Sequence, residues 1–70
     1  MRVSVRDPRI AADVVAYIGA MGFSARSVDE DMIAVSPRED VSDQQARREL
    51  DLYLALWRVV EERYDVALLP

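Results

Sequence analysis

Residues 2–36 decide the fold, and their sequence is RVSVRDPRIAADVVAYIGAMGFSARSVDEDMIAVS. Val3 and Val5 alternate with polar neighbours, and this period of two predicts a strand with one buried face. Asp7-Pro8 then favours a helix start, because an aspartate side chain accepts hydrogen bonds from free amides and proline lacks the N–H that the first helical position leaves unpaired. The chain is therefore predicted to begin with a strand that leads directly into a helix.

A helix and then a hairpin follow. The apolar residues at helical spacing on one face of this helix are Ile10, Val14, Ile18 and Met21. Gly22 predicts the end of the helix, because glycine adopts the left-handed conformation at little cost. Residues 23–28 and 32–36 are predicted strands joined by Asp29-Glu30-Asp31. One face of this hairpin is expected to carry Phe23, Ala25, Ile33 and Val35, and the other Ser24, Arg26, Met32, Ala34 and Ser36.

A long helix dominates the second half of the chain. Ser42 and Gln45 have the capping-box spacing that starts a helix, and the helical periodicity continues to about Tyr64. The predicted core stripe of this helix is Ala46, Leu50, Tyr53, Trp57, Val60 and Tyr64. Leu54 is expected near its polar edge. Residues 65–70 alternate once more and predict a short last strand.

The order strand-helix-strand occurs twice, which is the order of a ferredoxin-like split βαβ fold. We therefore predict a single α+β domain over residues 1–70, with a four-stranded antiparallel sheet and two helices on one face. Right-handed crossovers place the first and third strands in the centre of the sheet. The predicted core comprises Val3, Val5, Ile10, Val14, Ile18, Phe23, Ile33, Val35, Leu50, Tyr53, Trp57, Val60 and Leu68.

The residue types present and absent restrict the reactions and the ligands that we expect for this protein. Nine arginines and thirteen acidic residues give a net charge of −4, and histidine, cysteine and lysine are absent. Those three residue types supply the usual general base, thiolate, Schiff-base amine and transition-metal ligands, so we expect a protein that is not an enzyme and has no metal or other cofactor. The acidic balance argues against nucleic acid as a partner, and the lack of a long apolar run argues against a membrane span. The expected location is the cytoplasm, because neither cysteines nor a signal-like segment occur.

Two surfaces are expected to contact a partner. The first helix carries small residues at helical spacing on the side away from its core, namely Ala12, Ala16, Gly19 and Ala20. On the second helix, Leu52, Leu56 and Val59 form an apolar strip beside the core stripe. A core of this size is also marginal by itself. The sequence therefore predicts a homodimer that acts as a small interaction or assembly module.

Residues 5–28, VRDPRIAADVVAYIGAMGFSARSV, resemble ACT-type regulatory domains, in which a strand, a short turn, a helix and a Gly-Phe helix exit precede the second strand. The resemblance implies a split βαβ fold and an amino-acid ligand near the first loop, at a dimer interface. That implies an alternative function, ligand sensing through Asp7, Arg9 and the backbone at the helix start. The first loop here lacks the glycine that ACT domains have at this place.

A third hypothesis about function concerns the face of the predicted sheet that the helices leave uncovered. Arg2, Arg6 and Arg26 are expected on that face and would oppose the negative charge of the whole chain. They predict a binder of an acidic protein or of nucleic acid. No aromatic residue is expected at the outward positions of the two central strands, where RNA-binding sheets stack bases.

Overall fold

The computed structural model describes residues 1–70 and contains the predicted elements in the predicted order. The strands are β1 (Arg2–Val5), β2 (Ser24–Asp29), β3 (Met32–Ser36) and β4 (Val66–Leu68), and the helices are α1 (Ala11–Ala20) and α2 (Asp43–Glu61). All neighbouring strands are antiparallel, and their order in the sheet is β2-β3-β1-β4. The predicted ferredoxin-like split βαβ fold is confirmed, with β1 and β3 in the centre of the sheet.

Local chemistry accounts for both ends of α1. The Asp7 side chain accepts a hydrogen bond from the Arg9 amide at 3.0 Å, and Pro8 opens a single 3-10 turn that leads into the helix. The chain leaves α1 through Gly22, whose φ of +98° is a conformation that residues with a side chain rarely adopt. The predicted helix start and helix exit are both confirmed.

The β2–β3 hairpin has the predicted faces. Ser24 pairs with Ser36 and Ala25 pairs with Val35, so apolar and polar positions separate as expected. The pairing shifts between Ser27 and Asp29, and β2 therefore ends one residue later than predicted. Such an irregularity lets a strand end bend without a glycine in the turn.

The structure corrects the predicted rotation and length of α2. Its buried residues are Ala46, Leu50, Leu54 and Trp57. Leu54, expected at the polar edge, is fully buried, whereas Val60 and Tyr64, expected in the core, are 69% and 79% exposed. The helix ends at Glu61, because Glu62 adopts a left-handed conformation with φ 54°. The sequence offers two adjacent apolar stripes on α2, and the sheet buries the one that contains Leu54.

Three further residues of the predicted core, Ile10, Tyr53 and Leu68, are only half-buried. They lie at the margin of a single cluster of twelve buried residues between the sheet and the helices. The Tyr53 and Phe23 rings pack in a T-shaped arrangement at a centroid distance of 6.3 Å. These residues pack against the core without belonging to it.

Arginines of α2 hold the edge strand β4. Arg58 Nη1 donates to the Val66 carbonyl at 2.8 Å, and Arg47 donates to the Leu69 carbonyl. Charged side chains on an edge discourage pairing with another strand. The short C-terminal strand is therefore tied both to β1 and to the helix layer.

Candidate interaction surfaces

The outer side of α2 carries a continuous apolar surface. Leu52, Leu56, Val59 and Val60 are 68%, 57%, 67% and 69% exposed, and we call these four residues the α2 strip. Their spacing of four, seven and eight residues places them on one side of the helix. Leu52 and Val59 lie opposite the buried residues of α2 and point away from the sheet, whereas Leu56 and Val60 lie on the flank that faces α1. The structure thus brings the three predicted residues together and adds Val60.

A groove of about 520 Å³ lies between α1, with the turn that precedes it, and the C-terminal half of α2. It is lined by Ile10, Tyr17, Leu56, Trp57 and Val60, with Asp13, Glu61 and Arg63 among its polar residues. Beside it, the Tyr17 hydroxyl donates to the Tyr53 carbonyl at 2.7 Å and joins the two helices. Burial raises the pKa of Tyr17, so this hydroxyl stays protonated.

Sequence reasoning missed this groove because it assigned Val60 to the core. The signal that finds it is the pair Leu50 and Leu54, four residues apart, which sets a different buried side for α2. With that side buried, Val60 turns towards α1 and lines the groove. The missed feature therefore follows from one error in the rotation of a helix.

The small-residue face of α1 is exposed at all four predicted positions, Ala12, Ala16, Gly19 and Ala20. A Cβ atom added at Gly19 would meet no atom within 4 Å. This face belongs to the outer surface of the helix layer, as do Leu52 and Val59 of the α2 strip, since each lies opposite the buried side of its helix. Whether a second molecule covers them stays a prediction.

An ion network organises the first loop. The Asp7 carboxylate accepts four hydrogen bonds, three from Arg9 and one from Arg63. Arg63 also pairs with Asp65 at 3.0 Å. The hydrogen bonds from Arg9, and then that from Arg63, hold the pKa of Asp7 far below its usual range. Arg63 likewise lowers the pKa of Asp65.

This network links the start of α1 to the segment between α2 and β4. It engages both residues expected to touch an amino-acid ligand, Asp7 and Arg9. The Arg9 guanidinium donates to Asp7 through Nε and Nη2, each at 3.1 Å. Ligand sensing at this loop stays a prediction.

The three arginines expected on the open sheet face separate into a pair and a single residue. Arg2 and Arg26 each pair in register with Ala34, from opposite sides. Arg6 follows the other end of β1, where the adjacent Val5 amide donates to the Asp31 carbonyl. All three are exposed. The structure therefore brings Arg2 and Arg26 together and puts Arg6 near the acidic hairpin turn.

Comparison of the chain with protein-family models, with curated proteins and with solved structures finds no match in any of the three. Neither helix combines the length and the apolar character needed to cross a membrane. No group of three or more acidic side chains is arranged to hold a metal ion.

Proposed function

We propose that this protein is a non-catalytic interaction module that self-associates through the α2 strip. The observation that carries the proposal is the exposure of four large aliphatic side chains on one side of one helix. An exposed helix side normally carries polar residues, and contiguous apolar patches on soluble proteins mark sites of interaction. The lack of histidine, cysteine and lysine supports a role without catalysis.

The charges beside the α2 strip favour a second copy of this chain as the partner. Arg48 lies one turn before the strip and Glu62 follows its end, and both are exposed. Neither takes part in an ion pair within the chain. If two α2 helices pack antiparallel about a two-fold axis near Leu56, Leu52 faces Val59 of the second copy and Arg48 faces its Glu62. In that arrangement apolar side chains would face apolar side chains, and opposite charges would face each other.

The small-residue face of α1 supports the same arrangement. It extends the outer surface of the helix layer beside the α2 strip. Side chains no larger than a methyl group let the backbone of a neighbouring molecule come close, and none of the four carries charge. A dimer formed through the helix layer would therefore cover both predicted surfaces and leave the open sheet face free.

The exposed fraction of the Leu52 side chain sets how much its truncation should weaken the dimer. Burying a leucine side chain completely is worth about 1.5–3 kcal/mol. Leu52 is 68% exposed, and a two-fold axis repeats every contact, so Leu52→Ala should weaken the dimer by about 2–4 kcal/mol, or more than about tenfold.

Sedimentation equilibrium tests the proposal at concentrations on the order of 1–100 µM, where weak dimers dissociate. We expect the natural chain to be a dimer and Leu52→Asp to be a monomer with an unchanged circular dichroism spectrum. Arg48→Glu and Glu62→Arg should each weaken the dimer, and combining them should restore it. A natural chain that stays monomeric over this range refutes self-association. Failure of the double variant to restore the dimer refutes the antiparallel geometry.

A further inference from the structure

The open face of the sheet, opposite the helices, brings two arginines to one place. Residues paired directly across antiparallel strands point to the same side of a sheet. Arg2 on β1 and Arg26 on β2 both pair with Ala34 on the intervening strand β3. The core-facing neighbours Val3, Ile33 and Val35 are buried, so these three residues point away from the helices. The register thus places two guanidinium groups on either side of one methyl group.

The spacing between Arg2 and Arg26 suits the binding of an oxyanion, such as a carboxylate, by both side chains. Neighbouring strands lie about 4.8 Å apart, so the Cα atoms of Arg2 and Arg26 are about 10 Å apart. Ala34 does not fill the space between them, and arginine side chains are long enough to converge above it. Ser24 and Ser36, which pair with each other one step further along the same strands, are also exposed and bring two hydroxyl groups to this face.

Neither arginine is neutralised within the chain. Arg2 and Arg26 take part in none of the ion pairs or side-chain hydrogen bonds of the structure, whereas Arg9, Arg38 and Arg63 each have a carboxylate partner. Asp29, the acidic residue of β2, lies at the far end of the hairpin, where it pairs with Met32 and accepts from the Glu30 amide. A chain of net charge −4 therefore presents a local cationic site.

We propose that Arg2 and Arg26, with Ala34 between them, bind the carboxylates of an acidic segment of a partner protein. Guanidinium groups bind carboxylates with two parallel hydrogen bonds, which gives this chemistry its specificity. The outward residues around the pair carry no aromatic ring on which a base would stack, so an acidic peptide fits better than nucleic acid. The site lies on the opposite side of the sheet from the α2 strip and does not depend on self-association.

Fluorescence anisotropy with a fluorescein-labelled peptide of eight aspartates tests the site at about 50 mM salt, where surface charges are only moderately screened. Arg2→Gln and Arg26→Gln should each weaken binding at least about tenfold, because each removes charge-assisted hydrogen bonds. Arg26→Lys should give an intermediate affinity, since lysine keeps the charge but not the paired geometry. The matched control is Arg6→Gln, which removes the same charge from the other end of β1 and should change binding little.

Three results would overturn the proposal. The natural chain would fail to bind the peptide, or Arg6→Gln would weaken binding as much as Arg2→Gln, or a single-stranded oligonucleotide would bind more tightly than the peptide. Circular dichroism of each variant establishes that the fold is retained. Leu52→Asp should bind the peptide with the affinity of the natural chain, so that failure of this proposal is distinguished from failure of self-association.

Discussion

Replacing Leu54 by alanine tests the rotation of α2, on which both the core and the α2 strip depend. Leu54 is fully buried. Truncating such a leucine costs about 2–5 kcal/mol, because apolar contact is lost and a cavity remains. A lone core in a chain of this size supplies roughly 3–5 kcal/mol of net stability. We therefore expect Leu54→Ala to be largely unfolded in water, or to unfold at a much lower urea concentration than the natural chain.

The fluorescence of Trp57 reports this unfolding directly, since it is the only tryptophan and is 7% exposed in the folded chain. The matched control is Leu52→Ala, the same substitution two residues away on the same helix, where the side chain is 68% exposed. Its effect on the unfolding free energy of the monomer should stay within about 0.5 kcal/mol. Urea titrations at two protein concentrations separate this effect from self-association, which makes the midpoint depend on concentration.

The opposite pattern would refute the reasoning. If Leu54→Ala cost no more than Leu52→Ala, or if Val60→Ala cost as much as a buried leucine, α2 would be rotated from its position in the structure. Val60 is 69% exposed there and should tolerate truncation in the monomer. A rotated helix would turn part of the α2 strip into core, and the proposed interface would lose its basis.

Other variants test single contacts. Tyr17→Phe removes the hydrogen bond between the helices and should lower the unfolding free energy by about 0.5–1.5 kcal/mol in a urea titration. Alanine at the two glycines should shift the melting temperature in opposite directions. Gly22→Ala forces a side chain into positive φ and should lower the unfolding free energy by about 1 kcal/mol or more. Gly19→Ala, within α1 and with open space around it, should raise the unfolding free energy by about 0.5–1 kcal/mol. Arg9 holds the pKa of Asp7 below the value of about 3.9 that an aspartate has in an unfolded chain. The contribution of Asp7 to the unfolding free energy is therefore present above that pH and is lost as the pH falls below it. Asp7→Asn should make the unfolding free energy depend less on pH in this acid range.

The two proposals describe compatible uses of opposite faces. Self-association would occupy the outer surface of the helix layer, and the acidic segment would bind the open face of the sheet. A dimer formed in this way presents one cationic face on each side and holds two acidic partners at a defined separation. Because the α2 strip and the Arg2–Arg26 pair share no residue, each proposal has variants that leave the other intact.

Part of each candidate site was predictable. Leu52, Leu56 and Val59 were recognisable because an apolar strip beside a filled core stripe exceeds what one helix needs to bury. The grouping of Arg2 and Arg26 without Arg6 was not, because it depends on which residue of β3 each strand opposes. The groove between the helices was missed because the sequence pattern assigned Val60 to the core, whereas the structure places it at the groove.

The sequence by itself determined the elements and their order. Alternation in residues 2–6, the caps at Asp7 and Ser42, and Gly22 after α1 are local signals, and each acts through the hydrogen bonds or backbone angles of its immediate neighbours. Only the tertiary structure decided which side of α2 is buried. Apolar residues occupy more than half the circumference of that helix, so local preference leaves two orientations nearly equal. Packing against the sheet selects the orientation that buries Ala46, Leu50, Leu54 and Trp57 in the core. That choice buried Leu54 and exposed Val60, and it created the surface on which the proposed function depends.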